Sequence, residues 1–179
     1  MNHAEPQPGR RPHLAGPTVS LRPGGEADID ALASILAEPS VVQWWGTPEP
    51  LEELTADLLG SSDTTLLVIE VDREVVGGIQ YLEEREPRYR HASIDIFIGT
   101  RYQNQGIGTE AIKALARFLL TERGHHRLTI DPAAANTRAI RCYSRVGFRP
   151  VGLMRRYERH EDGTFHDGLL MDMIVDDNS

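Results

Sequence analysis

The heptapeptide Gln103-Asn104-Gln105-Gly106-Ile107-Gly108-Thr109 is the most informative segment of the chain, because it follows a predicted strand and opens a predicted helix. Glycines at such a junction let the backbone approach a ligand, and the free N–H groups of the first helical turn then point at that ligand. The helix dipole favours an anion at this end. The segment lacks the GK[ST] ending of a P-loop and the GxGxxG dinucleotide fingerprint. We interpret it as a pyrophosphate cradle. The alternative is that it is a loop without a ligand role, in which two glycines happen to precede a helix.

The segments on either side of this cradle follow the periodicities of strands and helices. Upstream, the pattern predicts a strand at 18–22, a helix at 28–37 that is ended by Pro39, and an apolar patch at 41–46. A second helix is predicted at 51–59, followed by strands at 65–71, 75–82 and 91–98. Downstream, it predicts a helix at 106–121, a strand at 127–130, a helix at 137–146, and strands near 151–158 and 168–174. This order predicts an α/β (α+β) fold in which helices cover both faces of a mixed sheet.

The length of 179 residues fits a single domain. We expect a disordered leader at 1–17, one domain at 18–175 and a tail at 176–179. A single cysteine, Cys142, excludes an internally disulfide-stapled secreted scaffold. The leader has no apolar signal-peptide core, and no apolar run approaches the ~20 residues of a membrane span. We therefore expect a cytoplasmic protein with no membrane partner.

The net charge of −8 argues against a nucleic-acid partner, which would need a basic face. It leaves a cationic substrate open, because a negative cleft concentrates cations; solubility alone is the alternative explanation. The seven histidines show no metal-ligand spacing, so we expect no metal. The sequence leaves the oligomeric state open between monomer and homodimer.

Two motifs in the second half of the chain resemble the GCN5-related N-acetyltransferase (GNAT) superfamily. Gln103-x-x-Gly106-x-Gly108 resembles its acyl-CoA-binding signature, and a downstream N-x-x-A-x-x-x-Y-x-x-x-GF pattern is matched by Asn136, Ala139, Tyr143 and Gly147-Phe148. The resemblance extends over residues 21–174. It implies a mostly antiparallel central sheet and acetyl-CoA as co-substrate.

Three further stretches resemble the aminoglycoside 6′-N-acetyltransferases: VQWWG at 42–46, SID at 93–95, and residues 129–143. This resemblance implies direct transfer of an acetyl group to an aminoglycoside amine, with the 6′ amine expected. The segments 155–159 and 164–168 instead resemble acetyltransferases of small amines or protein termini. The alternatives are therefore another aminoglycoside position, a polyamine or a protein N-terminus, or a non-catalytic acyl-CoA-binding module.

Asp95 is the candidate general base or cation anchor. Strand alternation places it opposite Ile94 and Ile96, on the face of Phe97. A carboxylate in the middle of a strand is costly to bury unless it is paired with a cation or has a functional role. An ammonium must lose a proton before it attacks a thioester, and a nearby carboxylate can accept that proton. The structural alternative is a salt bridge to Arg90 or Arg101.

The resemblance implies that the phenol of Tyr143 lies near the thioester sulfur and donates a proton to the departing thiolate, although its spacing also fits a core tyrosine. Asn136 precedes a helix, so N-capping alone explains it, and contact with the CoA arm is the family role. We expect backbone N–H groups near Phe97 and Ile98 to serve as oxyanion donors, where the strand must splay. We interpret Cys142 as a buried residue that contributes to the packing of its helix.

The candidate site residues fall into two sets. The expected cofactor contacts are Phe97, Ile98, Gln103, Asn104, Gln105, Gly106, Ile107, Gly108, Thr109, Asn136, Ala139 and Tyr143. The expected contacts to the small cationic amine are Trp44, Trp45, Gln80, Asp95 and Asp131. We expect at least one tryptophan to wall the acceptor site, because a sugar amine needs a flat or apolar surface.

The charge is divided along the chain in a way that suits these two sets. Residues 101–149 hold nine basic against three acidic residues, a net of +6, and the rest of the chain carries −14. The positive stretch is the one assigned to a polyanionic cofactor. The acidic remainder holds Asp95, which is assigned to a cationic acceptor.

Overall fold

The computed structural model describes residues 11–48, 50–59, 63–160 and 163–175. The strands are β1 (Leu14–Ala15), β2 (Ser20–Pro23), β3 (Thr65–Val71), β4 (Glu74–Glu84), β5 (His91–Ile98), β6 (Arg127–Ile130), β7 (Arg149–Arg159) and β8 (Phe165–Ile174). The helices are α1 (Ile29–Leu36), α2 (Pro39–Trp45), α3 (Leu51–Leu59), α4 (Ile107–Thr121) and α5 (Thr137–Val146). Short 3₁₀ turns lie at Glu26–Asp28 and Thr100–Tyr102.

The described strands form one eight-stranded sheet in the order β1-β2-β3-β4-β5-β6-β8-β7. Every neighbouring pair is antiparallel except β5 and β6, which are parallel. The predicted mixed, mostly antiparallel sheet is confirmed. The β5–β6 pairing is limited to Ala92 with Leu128 and Ser93 with Thr129. Beyond this point the two strands part, which opens a gap in the sheet.

Helices cover both faces of this sheet, as the sequence predicts. In β3, Leu67 and Ile69 pack in the larger core cluster beneath α4, whereas Leu66 and Val68 pack in a second cluster with α1, α2 and α3. This continuous apolar run is typical of a strand buried on both sides. Within the described residues, no helix is both long enough and apolar enough to cross a membrane.

The second half of the predicted leader is ordered, contrary to expectation. Leu14 and Ala15 pair with β2 as the edge strand β1, and the Arg11 guanidinium donates hydrogen bonds to carbonyls at the end of α3. The carboxylate of Glu110, on α4, accepts hydrogen bonds from Thr18 and Val19. These contacts come from distant parts of the chain, so local composition did not reveal them. Residues 1–10 and the predicted tail at 176–179 lie outside the described residues.

The segment 39–45 forms a helix where the sequence indicated only an apolar patch after a helix-ending proline. Pro39 is the first residue of α2, a position where its fixed φ and missing N–H cost nothing. The proline therefore both separates α1 from α2 and begins α2. As a result, both tryptophans lie on a helix that faces the gap between β5 and β6.

Candidate active site

A cleft of about 630 Å³ lies at the gap between β5 and β6. One wall, here called the helix side, consists of the loop 102–109 and the inner face of α5. The other, here called the strand side, comprises Gln80, Asp95, Asp131, Tyr157 and Glu158. Trp44 and Trp45 of α2 complete the lining. The separation of the parallel strands β5 and β6 thus leaves a cleft with a wall of loop and helix residues on one side and a wall of mainly strand residues on the other.

The cleft brings together nearly all of the residues that the sequence predicted for the site. Fifteen of them line it: Trp44, Trp45, Gln80, Asp95, Phe97, Ile98, Gln103, Asn104, Gly106, Gly108, Thr109, Asp131, Asn136, Ala139 and Tyr143. Gln105 and Ile107 do not line it. The Gln105 amide donates to the Arg101 carbonyl at 2.7 Å, and Ile107 is buried in the core because it is the first inward-facing position of α4. Their side chains therefore face away from the predicted ligand.

The start of α4 has the features of an anion cradle. Gly106 is the N-cap residue in a left-handed conformation, with φ of +84°, and no side chain caps the helix. A Cβ at Gly106 would meet no atom within 4 Å, whereas one at Gly108 would lie 3.2 Å from Ile98 Cδ1. The N–H groups of the first turn have no intrahelical acceptor. A pyrophosphate fits this set of free donors.

Gln103 is held by the protein through both ends of its side-chain amide. Its Nε2 donates to the Ile98 carbonyl at 2.8 Å and to Ser40 Oγ at 3.1 Å, while Oε1 accepts from Arg138 at 2.5 Å. Sequence reasoning assigned Gln103 to the cofactor and missed Ser40 and Arg138. Since their pairing joins three separate elements, no local pattern could have found it.

Asn136 and Tyr143 lie on the helix side, on α5. The Asn136 side chain accepts from the Ala139 N–H at 3.1 Å, so the N-cap interpretation is confirmed. Tyr143 is only 8% exposed, and its ring packs edge-on against Phe148 with centroids 6.5 Å apart. Burial raises the pKa of Tyr143, and Cys142, Asp95 and Asp131 raise it further. The phenol therefore stays protonated at neutral pH and can donate a proton.

Asp95 faces the cleft from β5, directly opposite Gln80 of β4. Its carboxylate is accessible from the cleft but is surrounded by protein. Burial, together with the charge of Asp131, raises the pKa of Asp95 from 3.8 to about 6, and a long hydrogen bond from Gln80 (Nε2 to Oδ2, 3.5 Å) opposes this shift. A carboxyl of this pKa is ionised at neutral pH yet is a better base than an ordinary aspartate.

The structural alternative for Asp95, a salt bridge, is wrong among the described residues. Arg90 donates instead to the Arg123 carbonyl at 2.6 Å, and Arg101 lies 3.7 Å from Glu74. Strand alternation was predicted correctly, since Ile94 is buried in the larger core cluster and Phe97 in the second. Asp95 is thus an accessible carboxylate without a cationic partner in the described structure.

Both tryptophans line the cleft. The Trp45 indole N–H donates to the Ile96 carbonyl at 3.2 Å, and its ring meets Phe97 edge-on at 5.0 Å. These contacts fix the orientation of Trp45 against β5. The cleft therefore has a flat apolar wall beside the Asp95 carboxylate.

The backbone donors of β5 can be assigned by alternation. The Gly99 N–H donates to the Val76 carbonyl at 2.9 Å, so the pairing of Gly99 with Val76 is a hydrogen-bonded one. Two residues earlier, the N–H of Phe97 points likewise towards β4, whereas that of Ile98 points towards the gap. Of the two predicted oxyanion donors, Ile98 is the one whose N–H faces the cleft.

Charge is separated across the cleft. The charged side chains of its lining are Arg138 and Arg145 on the helix side, and Asp95, Asp131 and Glu158 on the strand side. The division of charge along the sequence is therefore followed by the charged lining residues except Asp131, which comes from the positive stretch but lies on the strand side. An anion on the helix side and a cation on the strand side would each meet the opposite charge.

Tyr157 and Glu158 belong to the site but were not predicted. The β7–β8 register shifts between Met154 and Glu158, and Arg156 within this bulge has φ of +53°. Bulges of this kind re-aim side chains, and this one places Tyr157 in the cleft. Interaction with Asp131 raises the pKa of Tyr157 to about 12. The only sequence signal was the departure of 155–159 from the aminoglycoside enzymes.

Cys142 is half-buried at the cleft, and its Sγ lies 3.2 Å from Thr109 Oγ1. Burial raises the pKa of this thiol, so a reactive thiolate is not favoured. The described residues contain no cluster of three or more His, Cys, Asp or Glu side chains arranged to hold a metal ion.

The chain belongs to the acetyltransferase (GNAT) domain family, whose family model matches residues 18–149. It is therefore an N-acetyltransferase domain, as its resemblance predicted. It is 28% identical over 154 residues to the aminoglycoside N(6′)-acetyltransferase type 1 of Klebsiella pneumoniae, covering 75% of this chain and 76% of that protein.

The chain is also similar to an acetyltransferase that acts on a polyamine and to a solved aminoglycoside acetyltransferase structure. The chain is 26% identical over 160 residues to the spermidine N(1)-acetyltransferase of Escherichia coli (strain K12), covering 86% of this chain and 84% of that protein. It superposes with a TM-score of 0.72 on a structure of AAC(6′)-Ib in complex with paromomycin and acetyl-CoA. That match has 25% identity and covers 88% of this chain and 93% of that one.

Proposed function

We propose that this chain transfers the acetyl group of acetyl-CoA to an amine of an aminoglycoside, with the 6′ amine as the expected position. The observation that carries the proposal is the cleft itself. An anion cradle with two arginines lies on one wall, and an accessible carboxylate of raised pKa lies on the other. The similarity to an aminoglycoside N(6′)-acetyltransferase supports the choice of acceptor.

The helix side binds the donor in this proposal. Acetyl-CoA supplies an activated acetyl thioester on a long arm that ends in phosphates. The N–H groups at the start of α4 hold its pyrophosphate, and the N–H of Ile98 stabilises negative charge on the thioester oxygen. The arm enters through the gap between β5 and β6, so the reacting carbon lies between the two walls.

The strand side binds and deprotonates the acceptor. Asp95 accepts a proton from the acceptor ammonium, directly or through water, and the free amine then attacks the thioester. Asp131 and Glu158 attract the other ammonium groups of a polycationic acceptor, and the two tryptophans form the wall for its sugar ring. No covalent enzyme intermediate is required.

Tyr143 donates a proton to the departing thiolate. Its raised pKa keeps the phenol protonated over the working range of pH. Because a free thiol has a pKa of about 8.5, the leaving group needs little assistance, and the contribution of Tyr143 to the rate is modest.

The experiment is a thiol-release assay with purified protein and acetyl-CoA. Aminoglycosides, spermidine and N-terminal peptides are each offered as acceptor, and free CoA is measured. Release with aminoglycosides supports the proposal. Release with peptides or spermidine but not with aminoglycosides contradicts the proposal that the acceptor is an aminoglycoside. No release with any amine contradicts the proposal that the chain catalyses acetyl transfer.

A polyamine is the second candidate acceptor. A linear amine with several cationic groups also suits the carboxylates Asp95, Asp131 and Glu158, and the spermidine enzyme is 26% identical to this chain. The tryptophan wall favours a ring-bearing acceptor over a linear one. The ratio of kcat/KM for an aminoglycoside to that for spermidine decides between them.

A further inference from the structure

The bulge in β7 is held in an unusual backbone conformation. Residues 155–157 of β7 all oppose a single residue of β8, Asp167. Arg156, the middle residue of the three, has φ of +53°, a left-handed conformation that is disfavoured for a residue with a Cβ. Such a conformation persists only where the surrounding structure fixes it, and it is found most often at functional sites.

Asp167 fixes this bulge through its side chain and is anchored through its backbone. Its Oδ1 accepts a hydrogen bond from the Arg156 N–H at 2.7 Å, so an N–H that the bulge removes from the strand pairing still has an acceptor. The backbone carbonyl of Asp167 accepts from the Ala134 N–H at 2.8 Å. Asp167 therefore joins the bulge of β7 to the segment that follows Asp131.

The bulge places Tyr157 against Asp131. The Tyr157 hydroxyl forms a hydrogen bond with the Asp131 side chain, and both residues line the cleft. Because an ionised carboxylate can only accept, the phenol is the donor. A Cβ at Gly168 would lie 2.9 Å from Tyr157 Cδ1, so the ring lies directly over this glycine and has no room to move towards β8.

A fixed carboxylate is the group that gains most from such support. A side chain that is ordered before binding loses less freedom when its ligand arrives, so it binds that ligand more tightly. Groups that hold a binding side chain in place in this way need not touch the ligand themselves. Asp167 fits this description, because it does not line the cleft.

We propose that Asp167 and Tyr157 are positioning residues of the acceptor site. Asp167 holds the bulge, and the bulge holds Tyr157 where its hydroxyl orients Asp131 towards an ammonium group of the acceptor. This inference rests on the proposed function in one respect, namely that a cationic amine binds on the strand side.

The first test is a calorimetric titration of the protein, saturated with CoA, with an aminoglycoside that carries a 6′ amine and separately with spermidine. Asp167→Ala should raise the Kd of the amine that wild type binds by about 5-fold or more, as the loss of one hydrogen bond to a charged group implies. The Kd for CoA should be unchanged. If the Ala variant binds the amine as tightly as wild type, the proposal is overturned.

The conservative variant separates the hydrogen bond from the charge of Asp167. Asp167→Asn keeps Oδ1 as an acceptor for the Arg156 N–H, so the Kd of the amine should stay within about twofold of wild type. If Asp167→Asn binds the amine as weakly as Asp167→Ala, the negative charge and not the bulge is responsible, and the proposal is overturned.

The matched control is Asp172→Ala, which removes another aspartate of β8. Asp172 Oδ2 lies 3.0 Å from Arg127 Nε, and Asp172 does not line the cleft. Its removal breaks an ion pair but should leave the Kd of the amine within about twofold of wild type. An equal loss in Asp172→Ala and Asp167→Ala would mean that the net charge of β8 matters, and would overturn the assignment.

The role of Tyr157 is tested by a double-mutant cycle. Tyr157→Phe removes the hydroxyl alone from an exposed side chain, so this variant keeps the test available even if Asp167→Ala does not fold. It should weaken binding of the amine, and the double variant with Asp167→Ala should bind no more weakly than Asp167→Ala alone. An unchanged Kd in Tyr157→Phe, or additive losses, would overturn the role of Tyr157.

Hydrogen exchange of the Arg156 amide tests the bulge without any acceptor. In Asp167→Ala this amide should exchange at least about 10-fold faster than in wild type or Asp167→Asn, because its acceptor is lost. Equal exchange in all three proteins would overturn the proposal. If wild type binds neither amine while the Arg156 amide follows the expected pattern, the acceptor of the proposed function is wrong and the placement of Tyr157 by Asp167 stands.

Discussion

Asp95 is the residue on which the proposed chemistry depends. Its carboxylate is accessible in the cleft, has no cationic partner in the described structure, and has a pKa raised to about 6 by burial and by Asp131. The sequence predicted its face of the strand and left its role open between a base and a salt-bridge partner. The shifted pKa could not be predicted, because Asp131 reaches the same cleft only through the fold.

Asp95→Asn should lower kcat by at least about 10-fold while CoA still binds with the Kd of wild type, since the change removes charge and basicity at nearly constant volume. In wild type, the rate should fall as the pH drops below about 6, where Asp95 becomes protonated. Steady-state rates between pH 5 and 8, with calorimetric CoA binding, check both. Unchanged turnover in the Asn variant would contradict the role of Asp95.

Asp95→Asn should also raise the melting temperature at neutral pH. A carboxyl whose pKa is raised by folding binds its proton more tightly in the folded state, so the ionised form destabilises the fold above the unfolded pKa of 3.8. The neutral amide removes this cost. Thermal unfolding at pH 7.5 and at pH 4 checks this effect: the gain should be present at the higher pH and much smaller at the lower one.

Tyr143→Phe is expected to lower kcat by less than about 10-fold, because the thiolate leaving group needs little protonation. The ring remains in place, so KM for acetyl-CoA should change little. A loss of several orders of magnitude would contradict this modest role, because it would show that proton donation by Tyr143 limits the reaction.

At the scale of elements, the junction of β4, β5 and α2 shapes the tryptophan-lined wall of the cleft. A Cβ at Gly78 of β4 would lie 2.6 Å from Phe97 Cζ, and Phe97 is the ring that meets Trp45 edge-on. The apolar patch at 41–46 was recognised in the sequence, and both of its tryptophans line the cleft. Its helical form was missed because Pro39 was taken as an end and not as a beginning.

Gly78→Ala should destabilise the protein by about 1–3 kcal/mol, because the added methyl group overpacks against a buried ring. It should also raise KM for the acceptor by displacing Trp45. Gly152→Ala in β7 is the matched control, since its Cβ would meet no atom within 4 Å. Urea unfolding of both variants measures the difference. Equal stability of the two would contradict the packing argument.

At the scale of the molecule, one buried polar cluster joins β4 to the end of α4. Glu83 accepts hydrogen bonds from Arg123 at 2.5 Å and from His125 at 2.8 Å, and the side chains of Glu83 and His125 are only 9% and 1% exposed. Burial alone would raise the pKa of Glu83, but the hydrogen bonds from His125 and Arg123 outweigh it and lower the pKa to about 2.

This cluster predicts acid sensitivity. A carboxyl with a depressed folded-state pKa stabilises the fold above its unfolded pKa of 4.5, and that stability is lost as the pH falls from 4.5 towards 2. Glu83→Gln should cost on the order of 2 kcal/mol at pH 7 and much less near pH 2.5. Glu52→Gln, an exposed change on α3, is the control. A pH-independent cost would contradict the linkage.

The sequence predicted the sheet and most helices, because periodicity defines them, and most of the residues that its motifs singled out line one cleft. It missed β1 and the Gln103–Arg138–Ser40 contacts, which are formed by residues far apart in the chain. It also missed Tyr157, because a bulge in β7 decides where that side chain points. What depended on local pattern was predictable, and what depended on distant partners was not.

The most direct test of the central claim uses a matched pair of acceptors. One is an aminoglycoside with a 6′ amine, and the other is its analogue with a hydroxyl at the same position. We predict CoA release and a mono-acetylated product with the first, and no release above background with the second. No release with either, or equal release with both, would contradict acetylation at the 6′ amine.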